Sequence, residues 1–388
     1  MCLPPLLIFN LVLAIFNPLF LILPRQYAGH ILRPSHITRS TFTTQLTSTI
    51  RSTHTGGPPK RYTYLSSDID TPPRSPPTLH SSHTLRSPLN MSVSDKRLKD
   101  TSPQELVRDL SLSAIGTAAR LRELCVLRVE EASKGTTGEA TEGSSDTPTD
   151  TPGLEDFLTS LWTEVLAIAQ EDEAYHARLL ELLAELKAQS NESTPWRVWG
   201  SPAALHELSL FGAQARDLLN APKVILDGKP ARITAADAPL LASDHAAASA
   251  PRTRAFTAAR RRWLLLHRFL ARTWAAGLWP CADFALWTMR DGLEYPAGHA
   301  TYSKTPRALC VEAAAEWAVY AGAAMHGCRE VMGPNGNAGW PGNAGSPGRG
   351  GERWKGVDGY DAGRWRLWKE TCGAIAMEEG AARPYRFT

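Results

Sequence analysis

Residues 255–275, AFTAARRRWLLLHRFLARTWA, 284–294, FALWTMRDGLE, and 308–326, ALCVEAAAEWAVYAGAAMH, are the most apolar part of the chain and decide its fold class. In the first stretch Phe256, Trp263, Leu264, Leu266, Phe269, Leu270, Trp274 and Ala275 recur at helical spacing. In the second, Phe284, Ala285, Trp287, Thr288 and Leu293 follow Trp279 and Pro280. Thr305 and Pro306 open the third, where a proline costs nothing because the first amides of a helix have no partner. Each stretch is long and apolar enough to be hidden on most of its faces, which predicts three helices in the interior.

Working outward, helix signals continue on both sides. Ser102, Pro103 and Glu105 make a capping box, and Leu106, Leu110, Leu112, Ile115, Leu121, Leu124 and Val126 extend a helix over 103–132, with a break at Gly116 allowed. A second long helix is expected over 154–188, its middle QEDEAYH charged enough to face solvent. Ser201 and Pro202 read as the start of a third, running to about Leu219. KVIL at 223–226 is the one short strand the pattern allows. A last helix, about 361–379, puts Trp365 and Trp368 on one face to anchor the C-terminal end. The expected class is all-α, a multi-helix bundle or layered helical array forming a single domain over roughly 95–380. Two stretches of low complexity, 133–151 and the glycine-rich 333–351 (GPNGNAGWPGNAGSPGRGG), read as flexible insertions.

Charge separates a leader from this body. Residues 1–90 hold eight Lys or Arg against Asp68 and Asp70, a net of +6, and the whole chain is +3, so residues 91–388 carry −3. A mildly acidic body gives no general reason to expect nucleic acid or anionic lipid as partner. The uncharged block MCLPPLLIFNLVLAIFNPLFLILP at 1–24 is long enough to span a bilayer, yet its prolines and asparagines make a poor uniform helix. The Ser-, Thr- and Arg-rich stretch after it has the balance of a mitochondrial presequence, and TPPRSPPTLHSSHTLRSPLN at 71–90 cannot pack. Three readings of the leader stand: a disordered or targeting tail, a membrane anchor, or upstream sequence ahead of a start at Met91. Six widely spaced cysteines without a CxxC pair suggest buried thiols in a reducing, cytoplasmic setting, with mitochondrial or membrane-anchored placement if the leader is genuine.

Polar residues within apolar helices are the candidates for chemistry, because a buried charge must be paired or neutralised. Arg290 and Glu294 stand four apart, as do Glu312 and Glu316, and these four are the candidate lining of an interhelical polar pocket. Two carboxylates at that spacing can hold a cation or form an acid/base pair; ion pairs with Arg290 or with the Arg260–262 run are the plainer reading. Arg260, Arg261 and Arg262 are candidates for anion binding and equally suit a solvated helix face. Glu173 and His176 make one ExxH, half of what a di-iron bundle needs. No HExxH, GxSxG or P-loop occurs, so no metal site and no catalytic residue is assigned, and no cofactor is named. All twelve tryptophans lie between Trp162 and Trp368, and Trp196, Trp199, Trp279, Trp340 and Trp354 fall in expected loops where a ligand or partner could use them.

FALWTMRDGLE at 284–294, AAAEWAVYAG at 313–322 and RWRLWKE at 364–370, in this order, resemble a filamentous-fungal family of helical proteins of unknown function. The resemblance covers roughly residues 100–380. It implies a helical, uncharacterised protein without a known activity, and it places the glycine-rich stretch outside the shared fold. The functional expectation is therefore a binding or scaffold protein, with a protein partner or self-association in view. The alternative is a small-molecule-binding protein or enzyme using the polar pocket.

Overall fold

The computed structural model describes Leu98 and residues 100–135, 150–189, 196–220, 222–226, 229–241, 250–296, 298–301 and 303–382. The expectations on residues 1–90 and on most of 133–151 fall outside the described residues. The architecture is all-α. Among the described residues there are ten helices: α1 (Pro103–Arg108), α2 (Ala114–Gly135), α3 (Leu154–Glu171), α4 (His176–Ala188), α5 (Phe211–Leu219), α6 (Ala238–Leu241), α7 (Pro251–Ala275), α8 (Ala282–Leu293), α9 (Arg307–Gly327) and α10 (Ala362–Ala382). Two antiparallel hairpins accompany them, β1 (Arg197–Val198) with β2 (Ser201–Pro202), and β3 (Lys223–Leu226) with β4 (Lys229–Arg232).

The three apolar stretches become α7, α8 and α9, which pack side by side. Burial on α9 goes all the way round, from Leu309 and Val311 through Trp317 to Met325, and this makes it the central element. Helix α7 joins this layer to the N-terminal helices through α3, α4 and α5, and α2 lies over α4. One hydrophobic cluster runs from Leu98 to Ile375 and includes the fully buried Trp162, Trp317 and Trp368.

Helix boundaries follow side-chain competition for the backbone. The capping box forms: Ser102 Oγ accepts the Glu105 N–H at 3.2 Å, and the Glu105 carboxylate accepts the Ser102 N–H at 2.7 Å. The break after α1 falls at 109–113 rather than at Gly116, because Asp109 takes the backbone N–H and hydroxyl of Ser111, and Ser113 Oγ takes the N–H of Gly116. Helix 154–188 is likewise two helices. Asp172 turns extended and accepts the Ala174 N–H, and a 3-10 turn at Glu173–Tyr175 precedes α4. His176, expected in a solvated middle, is completely buried: its Nε2 bonds the Ala169 carbonyl at 2.8 Å and covers the backbone freed by the break.

Ser201 and Pro202 do not start a helix. Trp199 and Gly200 both adopt positive φ, 55° and 73°, the geometry of a two-residue hairpin, so Ser201 and Pro202 pair back on Val198 and Arg197. The helix begins at Phe211 instead. Residues 333–351 contain no helix or strand, yet they are folded against α8 and α10. Gly348 N–H donates to the Met332 carbonyl at 2.7 Å, and Trp287 Nε1–H to the Pro347 carbonyl at 2.8 Å. A side chain at Gly348 or Gly359 would run into the backbone of Asp358 or Glu330. These glycines allow close approach of backbone, which composition does not distinguish from a flexible run.

Candidate functional site

Three centres of buried charge hold the residues singled out from sequence. The first is a seam between α7 and α9. Arg260, Arg268 and Arg272 repeat along one face of α7, and Glu312, Glu316 and Tyr320 repeat every four residues along α9. Arg260 Nε meets Glu312 Oε2 at 2.6 Å; Arg268 holds Glu316 with both Nε (2.7 Å) and Nη2 (2.8 Å). The partners advance together in number, so the two helices run parallel. At the far end Arg268 and Arg272 share the carboxylate of Glu173, and both lie over the Tyr320 ring, Arg272 at 4.5 Å. The carboxylate of Glu316 beside it raises the pKa of the Arg268 guanidinium, and burial raises that of the Tyr320 phenol. Beneath the seam Trp317 Nε1–H donates to His267 Nδ1 at 2.9 Å.

The second centre is Glu294, which is fully buried and meets the equally buried Arg364. Arg364 donates through Nε (2.6 Å) and Nη2 (3.1 Å) to the two carboxylate oxygens. Trp368 Nε1–H and the Gly351 N–H add two more donors, each at 2.7 Å. Arg364 Nη1–H reaches the carbonyls of Gly348 at 2.7 Å and Gly359 at 2.9 Å. Every oxygen of the acid and most of the guanidinium fork are thus satisfied, as a buried pair requires. Residues of the first and third quoted motifs meet here and clamp the glycine-rich segment between them. In the third centre, Arg290 Nε pairs with Asp291 Oδ1 at 3.3 Å, and Asp291 Oδ2 accepts the Ser303 N–H at 3.0 Å.

The four pocket candidates are all buried but not brought together. Glu312 and Glu316 face separate arginines, Glu294 faces α10, and Arg290 pairs with its neighbour. The i to i+4 pairing of Arg290 with Glu294 does not form, because Glu294 is the C-cap of α8 and turns towards α10. Two small cavities, of about 30 and about 60 Å³, are lined by none of the four. Arg260, Arg261 and Arg262 also diverge, as 100° steps dictate: Arg260 is committed to Glu312, Arg261 reaches Asp172 at 3.3 Å on the surface, and Arg262 is exposed. Glu173 and His176 point apart, one to the arginines and one to Ala169. Among the described residues no group of three His, Cys, Asp or Glu is placed to hold a metal ion.

Of the loop tryptophans, Trp340 and Trp354 donate to the carbonyls of Gly345 and Val357, and Trp279 stacks edge-on with Phe211. The reading from sequence passed over Arg268, Arg272 and Arg364. A spacing of four and eight along α7 was the available signal for the first two. Arg364 opens the RWRLWKE motif, but its charge partner Glu294 lies 70 residues away, so no local spacing marks the pair.

The profile of a family described as protein of unknown function, DUF3632, matches residues 162–371, more than half of the chain. The chain belongs to this family. The DUF3632 match begins inside α3 and ends in α10, so its span takes in all three centres. Helices α1 and α2 precede it. No curated protein and no solved structure matches the chain.

Proposed function

We propose that this DUF3632 protein acts by holding a protein partner, and that the corner between α1 and α2 is part of the face it offers. The observation that carries this is the exposure of Leu110 (67%), in the turn after α1, and Ile115 (62%), in the first turn of α2, two large apolar side chains at the ends of one tied-down connection. Both were expected on the buried stripe of one helix; the break at Asp109 turns them outward. Arg178 donates to the Asp109 carbonyl, and Arg108 holds Glu164 at 2.5 Å and Glu171 at 2.7 Å, so the corner is fixed before any partner arrives. Beside it lies the 60 Å³ cleft, lined by Val107, Ile168, Tyr175 and Leu179 among others. Preorganised apolar surface next to a cleft is what a docking side chain uses.

The remaining elements of this reading are a single helical domain over roughly 95–380, supported by the main core cluster that spans Leu98 to Ile375, and a reducing, cytoplasmic compartment. Cys125, Cys281, Cys310, Cys328 and Cys372 are all free thiols, which supports the latter. Among the described residues no helix is long and apolar enough to cross a membrane.

The test is purification of the protein from its own source, with native and denatured masses compared, alongside the variant Leu110→Glu/Ile115→Glu. A co-purifying protein that the variant loses while keeping its thermal midpoint supports docking at this corner. A bound mass of small-molecule size with no protein partner would favour the interhelical-pocket alternative and sink the docking reading.

A further inference from the structure

The hairpin of β3 and β4 has one open edge. Val224 stands opposite Ala231 and Ile225 opposite Pro230. The Ile233 N–H donates to the Pro222 carbonyl at 2.9 Å, so the hydrogen-bonded pairs of this antiparallel ladder are 222 with 233, 224 with 231 and 226 with 229. Alternation then turns the backbone groups of Lys223 and Ile225 away from β4, and those of Pro230 and Arg232 away from β3. The two edges differ in consequence. On β4, Pro230 has no N–H to offer, which blunts that edge against further pairing. On β3, both outward residues carry a donor and an acceptor, and among the described residues nothing outside the hairpin takes them up.

Packing holds this edge in place. The elements chiefly packed on β3 are β4 beside it and α7 beneath, where Val224 joins Ile233, Phe256 and Ala259 in a buried cluster of its own. The edge is therefore held in strand geometry before anything pairs with it. The side chains of Lys223 and Ile225 lie on the opposite, outer face, and Ile225 is 50% exposed. Charge decides what fits there. The hairpin carries Lys223, Lys229 and Arg232 against one acid in its sequence, Asp227. Among the described residues no carboxylate meets Lys223 or Lys229, and Arg232 is turned to the carbonyls of Asn220 and Ser303. A second copy of β3 would bring like charges together, whereas an acidic strand would set a carboxylate beside Lys223.

We propose that the open edge of β3 receives an acidic, extended segment of a partner protein, added antiparallel as a third strand. The residues of that segment that exchange hydrogen bonds with Lys223 and Ile225 have their side chains on the outer face. The recognised pattern is thus an acid opposite Lys223 and, two positions away, an apolar residue opposite Ile225. Main-chain bonds supply the affinity, and these two side chains the selectivity. None of the residues of the α1–α2 corner takes part, and the inference does not rest on docking there.

The experiment titrates the full chain with the acetylated, amidated peptide Glu-Thr-Val-Thr-Glu-Thr-Val-Thr-Glu, followed by calorimetry and by hydrogen exchange. Saturable binding is expected, with slowed exchange at the amides of Lys223 and Ile225. The same peptide N-methylated at its Glu and Val residues keeps every side chain but loses the donors, and should bind about tenfold more weakly or worse. Lys223→Glu should weaken the acidic peptide by about fivefold or more and should favour its counterpart with Lys in place of Glu. Leu110→Glu/Ile115→Glu should leave binding within about twofold, as expected of a site elsewhere. Absence of saturable binding, equal binding of the N-methylated peptide, or slowed exchange away from β3 would overturn the proposal. So would self-association of the chain alone that protects the same two amides, since the occupant would then be a second copy. The N-methyl comparison on the unaltered chain decides this even if Lys223→Glu folds poorly.

Discussion

His267 is enclosed by Trp263 and Trp317, and burial pushes its pKa down to about 3. Because Nδ1 accepts the Trp317 indole N–H, the neutral ring carries its proton on Nε2. Unfolded, the same imidazole titrates near 6.5. The unfolded chain therefore binds the extra proton first as pH falls. The stability associated with the neutral ring is complete above about 6.5 and is lost progressively towards 3, on the order of a few kcal/mol in all. His267→Gln, which keeps an acceptor for Trp317, should flatten the decline of the thermal midpoint between pH 6.5 and 4; an unchanged slope would assign the acid sensitivity to other groups. His176, also lowered by burial, adds to the slope in the same direction. At Arg364 the prediction concerns charge. Arg364→Met leaves the Glu294 carboxylate buried without its counter-ion and should cost about 3–5 kcal/mol in urea unfolding, whereas Glu294→Met/Arg364→Met should recover part of that loss. A single variant no less stable than the double would mean that water reaches Glu294.

At the scale of elements, the glycine-rich segment and the α7–α9 seam behave differently from what their compositions suggest. Eight glycines in 333–351 have the composition of a linker, and sequence has no way to show that some are small because backbone must touch backbone. The structure separates them. A Cβ at Gly348 would collide with Asp358, while Gly342 has nothing within 4 Å. Gly348→Ala should lower stability by about 1–3 kcal/mol, and Gly342→Ala should be neutral; equal effects would mean that the segment does not pack as described. In the seam, the carboxylate spacing on α9 was visible beforehand, and Arg260 was among the partners foreseen for it. Arg268 and Arg272 were not, since the register between two helices depends on how their ridges settle.

For the whole molecule, the break in charge and composition near Met91 leads us to expect that the helical body folds without residues 1–90. A chain beginning at Met91 should unfold with the same cooperativity and within about 2 °C of the full chain, roughly the shift that 1 kcal/mol produces at this size. A clearly lower midpoint would show that the leader packs on the helices. Local patterning was enough to establish the helical class, the three interior helices, the capping box before α1 and the last helix with its tryptophans, because helical periodicity and caps are written within a few residues. Only the packed chain shows that Ser201 and Pro202 belong to a hairpin, that His176 is interior, and that Arg290, Glu294, Glu312 and Glu316 occupy three separate centres. The physical reason is range: propensity and capping act over a turn or two, whereas the partner of a buried charge is chosen by elements that meet only when the core closes.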